Sequence, residues 1–378
     1  MAAISTSGRV SGGEIVTRVW EFVVRPIDKT LFGLTMAIVA VGFVTLFSAA
    51  DQSLVRVGNQ AVSLGVALLA MWFVANVPPP TLARVAVPLY LAALAMLIGV
   101  TLFGVVVNGS RRWLNLGITR IQPSELMKVA LPLMLAWYFQ KFESRLRWGD
   151  FVIASALIAI PAALIMKQPD LGTSLLILAS GFYVLFLAGL SWKVIAALGI
   201  AGAAAAPFAW GMLHDYQRRR ILTFLDPSQD PLGAGYHTSQ ATIAIGSGGV
   251  IGKGWLNGTQ THLDFLPERH TDFIFAVFGE EFGLVGNVVL VLLYLALVFR
   301  GMMIAANAST LFGRLMAGTV SLLLFTYAFV NMGMVAGVLP VVGVPLPFIS
   351  YGGTALLSLF IGIGILMSVQ AHRKLVQG

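Results

Sequence analysis

The sequence predicts an all-α polytopic membrane protein with ten transmembrane helices. A large extracytoplasmic loop lies between helices 7 and 8, and both termini are cytoplasmic. Three observations carry this. Of the 378 residues, 58% are hydrophobic and only 11% charged, whereas soluble domains hold roughly 25% charged residues. The apolar residues gather into ten runs, each near the roughly 20 residues that a helix needs to cross a bilayer. Lys and Arg fall mainly on one side of those runs.

Residues 1–30 are mixed polar, without the apolar centre and small-residue cleavage site of a signal peptide. They read as a cytoplasmic segment, and the first apolar run is expected to remain as a span. The rest, 31–378, reads as a single ten-helix membrane domain. Its spans are expected at 31–49, 60–77, 84–106, 123–141, 150–166, 171–188, 192–213, 273–299, 313–338 and 351–370.

Orientation follows from the basic residues, which favour the cytoplasmic side in short loops. With the N-terminus inside, the cytoplasmic segments hold 13 Lys and Arg and the short outer loops hold 5. A net charge of +8 could suggest a nucleic-acid partner. Its placement in short loops between apolar runs argues against one. The chain has no cysteine, which excludes a disulfide framework and thiol chemistry.

The exceptions to the charge bias are informative. Arg111, Arg112 and Arg120 stand in the outer loop before span 4, and Lys128 stands inside that span. Cations placed against the bias need another reason, and an anionic ligand on the outer face supplies one. Pro123 suits a first helical turn, where its missing N–H is not needed. Glu125 and Lys128, three residues apart, share a helix face, with Lys128 about 7–8 Å past the helix start. One reading is a structural Glu–Lys pair with arginines snorkelling to headgroups. The other, favoured by the topological exception, is a cationic pocket for a lipid-linked diphosphate.

At the outer start of span 6, Asp170 could simply cap the helix and favour its positive dipole end. Alternatively, Lys167 and Asp170 could line the same outer cavity as Arg111 and Lys128. The loop 214–272 is longer than ordinary connections, which makes it functional or disordered; Tyr216, Phe224, Tyr236, Trp255 and Phe265 favour order. Within it, Asp226 to Pro231 reads as turn chemistry. The stretch Gly246 to Gly254 superficially matches a phosphate-binding loop, but Ser247 stands where the first glycine is required and Gly254 where Ser or Thr belongs. A flexible or tightly turned segment is the expectation. Phe348 to Thr354, after Pro340, Pro345 and Pro347, reads as packing and turn geometry. No internal repeat is evident, which weakens an inverted-repeat transporter.

The densest cluster of ionisable groups is Asp264 to Asp272, at the edge of span 8. Charged groups at a membrane boundary are costly and mark a functional site. Asp272 adjoins the apolar run, where partial desolvation raises a carboxylate pKa and fits it for general-base work. His270 alone reads as a structural donor. Glu280 and Glu281, inside span 8, are expected to pair within the bundle. No His and Cys spacing suggests a metal, although a carboxylate-held divalent cation, Mg or Mn, stays open as a cofactor.

These segments resemble the SEDS family of bacterial cell-wall polymerases, the RodA branch more closely than the FtsW branch. The matching stretches are Gly109 to Leu114, Gln122 to Lys128, Gln168 to Thr173, Asp230 to His237, Phe265 to Phe275 and Ser350 to Gly353. They run in the family's order from span 3 to span 10. The resemblance implies a ten-span bundle in the bacterial cytoplasmic (inner) membrane and peptidoglycan glycosyltransferase activity on lipid II, during cell elongation and rod-shape maintenance. It implies a class B penicillin-binding protein as partner, with other elongation-complex membrane proteins. It makes Asp272 the catalytic residue of a His-Thr-Asp motif. On this reading Arg111, Arg112, Lys128, Asp170 and Glu125 bind substrate. Two rivals remain: a lipid II flippase, which needs polar groups distributed through the membrane depth, and a non-catalytic scaffold for the transpeptidase. A division polymerase of the FtsW type is the third alternative.

Overall fold

The computed structural model describes residues 25–107, 110–115, 120–168, 170–212, 218, 222–223, 234–262 and 268–373. Residues 1–24 of the N-terminal segment lie outside these. So do Arg219 and Arg220, the Asp226 to Pro231 turn and Asp264 to Pro267.

A helix occupies each of the ten apolar runs. They are α1 (Lys29–Ala49), α2 (Leu54–Ala75), α3 (Pro79–Phe103), α4 (Pro123–Lys141), α5 (Trp148–Met166), α6 (Leu171–Leu187) and α7 (Trp192–Met212). After α8 (Ala234–Ser247), which belongs to the long loop, come α9 (Ile274–Ala306), α10 (Leu311–Val335) and α11 (Gly353–Ala371). Among the described residues, seven helices are long and apolar enough to cross a membrane: α1, α2, α3, α5, α9, α10 and α11. The chain is a multi-pass membrane protein. α6 and the apolar part of α7 are shorter, and α4 carries Glu125 and Lys128 near its start.

Three features depart from the expectation. First, the starts of α2 and α3 precede the hydropathy onset at 60 and 84. Ser53 caps α2 by accepting from the Arg56 amide at 3.5 Å, and α3 opens on prolines, which a first turn tolerates. A serine cap and a proline-bearing first turn, not apolarity, set these two starts.

Second, the chain is not wholly α-helical. Between α3 and α4 lies a three-stranded antiparallel sheet of β1 (Val105–Val107), β2 (Ser110–Asn115) and β3 (Arg120–Ile121), in the order β1-β2-β3. β1 pairs Val107 with Ser110 and Val106 with Arg111, with an irregularity before Val105 and Trp113. A run of three valines favours extended backbone. The Asn108-Gly109 dipeptide that follows is a strong sequence signal for a hairpin, yet the run reads as the end of a span by hydropathy alone.

Third, α9 is not continuous. Gly283 has φ 64° and ψ −162°, a conformation open to glycine and costly for other residues. Such a break frees backbone groups that lipid cannot satisfy, and the glycine-rich stretch after α8 supplies their partners. Leu284 and Val285 donate their amides to the carbonyls of Gly249 (2.9 Å) and Val250 (3.0 Å). Lys253 and Gly254 donate theirs to Glu280 and Glu281 (3.0 Å each). The glycine stretch is therefore a tightly turned insert that completes a broken helix, which accounts for the failed phosphate-loop spacing.

Two apolar cores result. One joins α1, α2, α8, α9, α10, α11 and the 342–349 segment. The other joins α3, α4, α5, α6 and the start of α10. Arg112, Glu125, Lys128, Asp170 and Asp272 lie where these two cores meet.

Candidate active site

α4 begins at Pro123, with Gln122 as its N-cap, and so projects Glu125 and Lys128 from its first turns. The Lys128 ammonium donates to Glu125 Oε1 at 2.6 Å and sits 5.3 Å from the centre of the Tyr327 ring on α10. Ser358 of α11 donates to the other Glu125 oxygen at 2.8 Å. Lys128 is only 8% exposed, so ion pair, ring face and hydroxyl together hold it in one place.

Asp170 serves both uses that the sequence left open. One oxygen accepts from the Thr173 amide at 3.1 Å and caps α6. The other lies 3.6 Å from the Arg112 guanidinium, which β2 carries across to it. Arg111 precedes Arg112 in β2, but its side chain lies outside the described residues. Lys167 is exposed and is absent from the described lining of the cavity discussed below. Of the two readings, the one that put Lys167 in a shared outer cavity is not met: it lies exposed in the turn after α5.

Asp272 stands two residues before α9. Its backbone is bolted from three directions. The carbonyls of His270, Thr271 and Asp272 accept from the Tyr351 amide (2.9 Å), the Ser350 hydroxyl (2.7 Å) and the Asn331 side-chain amide (2.8 Å). Ser350 in turn accepts from the Leu346 amide at 2.8 Å, and the Arg269 guanidinium pairs with Asp51 in the turn after α1. The segment Phe348 to Thr354, expected to serve packing and turns, thus also fixes the Asp272 loop. Opposite the carboxylate is Gly343, at φ +71°. A Cβ built there would lie 3.3 Å from Asp272 Oδ2.

These groups surround one cavity of about 400 Å³, lined by Arg112, Gln122, Glu125, Lys128, Asp170, Thr173, Glu268, Thr271, Asp272 and the Gly343 to Pro345 turn. Five of the six residues singled out in the sequence therefore meet at one site. Tyr327, Ser358, Asn331 and the 343–345 turn were not anticipated. Asn331 was legible in part, as a lone amide in an apolar helix.

His270 packs its ring 5.9 Å from Tyr351. Burial holds its pKa below the usual 6.5, and the Arg56 and Arg269 charges act the same way against Glu268 and Asp51. Glu280 and Glu281 lie away from the cavity. Glu280 accepts from Lys253 Nζ (2.7 Å), Thr259 Oγ1 (3.1 Å) and the Gln260 amide (3.1 Å), and Glu281 accepts from Ser48. Both hold the broken region of α9 in place, as pairing groups. Among the described residues no group of three or more His, Cys, Asp or Glu could hold a metal ion.

Chemically, the cavity offers a carboxylate on a rigid loop across from two cations that are each held by a carboxylate. This set suits transfer between a hydroxyl and a diphosphate-activated carbon: one group accepts the proton, the others meet the leaving charge.

Comparison with known proteins points the same way. The family profile described as Cell cycle protein, FTSW_RODA_SPOVE, matches residues 24–375. The peptidoglycan glycosyltransferase MrdB of Escherichia coli (strain K12) is 49% identical over 351 residues, covering 93% of this chain and 95% of that protein. A chain solved in a study of a peptidoglycan synthase complex that coordinates polymerization and crosslinking superposes with a TM-score of 0.81 at 36% identity, covering 92% of this chain and 98% of its own. The Thermus thermophilus rod shape determining protein RodA superposes with a TM-score of 0.70 at 32% identity, over 92% and 97% of the two chains.

Proposed function

The chain belongs to the FTSW_RODA_SPOVE family and is a peptidoglycan glycosyltransferase; we propose that it polymerises lipid II with Asp272 as the general base. The observation that carries the reading is the single cavity shared by Asp272, Arg112 and Lys128. In this mechanism the Asp272 carboxylate takes the proton of the acceptor N-acetylglucosamine 4-hydroxyl. That oxygen attacks the anomeric carbon of the donor N-acetylmuramic acid. The new glycosidic bond forms as the bond to the diphosphate breaks, and undecaprenyl diphosphate leaves. An α-linked donor then gives a β-1,4 product by inversion. Arg112 and Lys128 stabilise the leaving diphosphate, since cations match phosphate oxygens, while Asp170 and Glu125 orient them. Arg111 joins this set as an outer-loop cation placed against the topological charge bias.

The described lining carries two cations against four carboxylates. A diphosphate entering that set gains from a counter-charge, so we propose Mg or Mn bound mainly through substrate phosphates, the usual way Mg is held at such sites. The proposed topology has ten spans, cytoplasmic termini and an outer 214–272 loop, which would put the cavity on the outer face of the inner membrane, where lipid-linked peptidoglycan precursors are polymerised. The charge count of 13 against 5 supports that topology. A class B penicillin-binding protein is the proposed partner, supported by the likeness to a chain of a peptidoglycan synthase complex; elongation rather than division is the proposed setting, because identity is 49% to an MrdB protein against 40% and 35% to FtsW proteins.

The test is strand extension from lipid II by purified protein, with Asp272→Asn alongside and with chelator added and reversed. The substitution is expected to cut extension to a small residual rate in a protein that still melts normally. Near-normal rate in that variant would sink the base assignment, and labelled lipid crossing vesicles without extension would favour a flippase.

A further inference from the structure

Asn331 is fully buried in α10, and no described hydrogen bond joins it to a charged side chain of the cavity. Its side-chain amide nonetheless spends both hydrogens on the site's frame. One goes to the Asp272 carbonyl at 2.8 Å and the other to the Val344 carbonyl at 2.7 Å. Those carbonyls belong to the two segments that face each other across the cavity, 270–273 and 342–345. An NH2 group has two donors in a fixed plane, so one side chain sets the spacing of both segments at once. No other described side chain donates to both.

The rigidity behind that amide matters. α10 packs in both apolar cores, and its Tyr327, one turn before Asn331, is the ring beneath Lys128. One helix thus carries the contact to the cation side and the contact to the carboxylate side. A shift of α10 would move both together and leave their separation intact.

We infer that Asn331 is a positioning residue for Asp272: it holds the carboxylate at its working distance from the Gly343–Pro345 wall and from the cations, without touching substrate. This rests on the reading of Asp272 as the base. A buried amide could instead serve only to satisfy two carbonyls. That bland role predicts lost stability with unchanged chemistry per folded molecule. A positioning role predicts a lower kcat at unchanged KM, because a displacement of the order of 1 Å can cost about 100-fold in rate.

The experiment is a double-mutant cycle on the purified enzyme with lipid II: Asn331→Ala, Asn331→Ser, Asp272→Asn and each Asn331 change combined with Asp272→Asn. Melting in detergent is followed in parallel. The expected result is a fall in kcat of about 10- to 100-fold for Asn331→Ala, with KM within twofold of the parent. Asn331→Ser keeps one donor and should lose less. Neither change should lower the residual rate of Asp272→Asn further, since groups acting through one another are non-additive. If Asn331→Ala does not melt cooperatively, Asn331→Ser decides. A kcat within twofold of the parent in a folded Asn331 variant would overturn the inference, and so would an equal loss in the Asp272→Asn background. Full activity of Asp272→Asn itself would instead overturn the base reading, so the two failures are separable.

Discussion

Gly343→Ala is the sharpest probe of the geometry around Asp272. Two costs follow from the structure. The backbone at φ +71° penalises any residue with a Cβ by about 1–2 kcal/mol. The added methyl would also lie 3.3 Å from Asp272 Oδ2, tighter than a relaxed carbon–oxygen contact, so the carboxylate must retreat by a few tenths of an ångström. The loop around Asp272 is bolted at three consecutive carbonyls, which leaves side-chain rotation as the way out and removes the oxygen from its attack geometry. Gly189 offers a matched control in the turn between α6 and α7. Its φ is +103° and a Cβ there meets nothing within 4 Å, so Gly189→Ala carries backbone strain without a contact. Both variants should lose about 1–2 kcal/mol of stability, read as a small drop in melting temperature. Only Gly343→Ala should lose strand extension, by about 10-fold or more for a misplaced base. Equal rates in the two variants would refute the claim that Asp272 works from the position seen here.

Two further outcomes are expected. Lys253→Met removes the ion partner of Glu280, whose side chain is fully buried; breaking a buried pair on one side costs about 3–5 kcal/mol. Retained donors from Thr259 and Gln260 put the loss at the low end, and the double change Lys253→Met with Glu280→Gln should restore much of it. A melting temperature for Lys253→Met equal to the parent would contradict this account of the α9 break. For His270, burial lowers the folded-state pKa below 6.5. Above pH 6.5 the ring is neutral in both states and contributes nothing. As pH falls through 6.5 the unfolded chain takes the proton first, so the fold loses stability down to the folded pKa. An NMR titration of labelled His270 should therefore show a midpoint below 6.5, and a midpoint above it would remove the burial argument.

The membrane class was legible because it rests on additive quantities, namely apolar run length and the side on which basic residues fall. Lys128 and Glu125 could be paired from spacing alone, since a helix fixes the i,i+3 geometry. Asp272 was legible as a carboxylate at an apolar boundary. What could not be read was every relation set by tertiary contact. Tyr327 and Ser358 look like ordinary members of apolar helices until α10 and α11 bring them beside α4. The break at Gly283 was hidden because hydropathy counts side chains and is blind to φ. The sheet at 105–121 was missed for a related reason: Val105 to Val107 are apolar enough to end a span, and apolarity cannot separate a last helical turn from a first strand.

The charge arrangement explains why a cation could stand inside an apolar helix at all. A lone ammonium at the depth of Lys128 would be costly, and Glu125 at 2.6 Å makes the burial tolerable. Arg112 and Asp170 have the same relation, at 3.6 Å and with Arg112 more exposed. The two pairs differ in use, because the tighter one is also sheathed by Tyr327 and Ser358. Lys128 is thus a fixed point charge, whereas the Arg112 side chain is 31% exposed, where an incoming phosphate can reach its planar fork. The division of labour follows from exposure. Arg112 is suited to capture the diphosphate as it enters, and Lys128 to stabilise the charge that grows on it as the glycosidic bond forms.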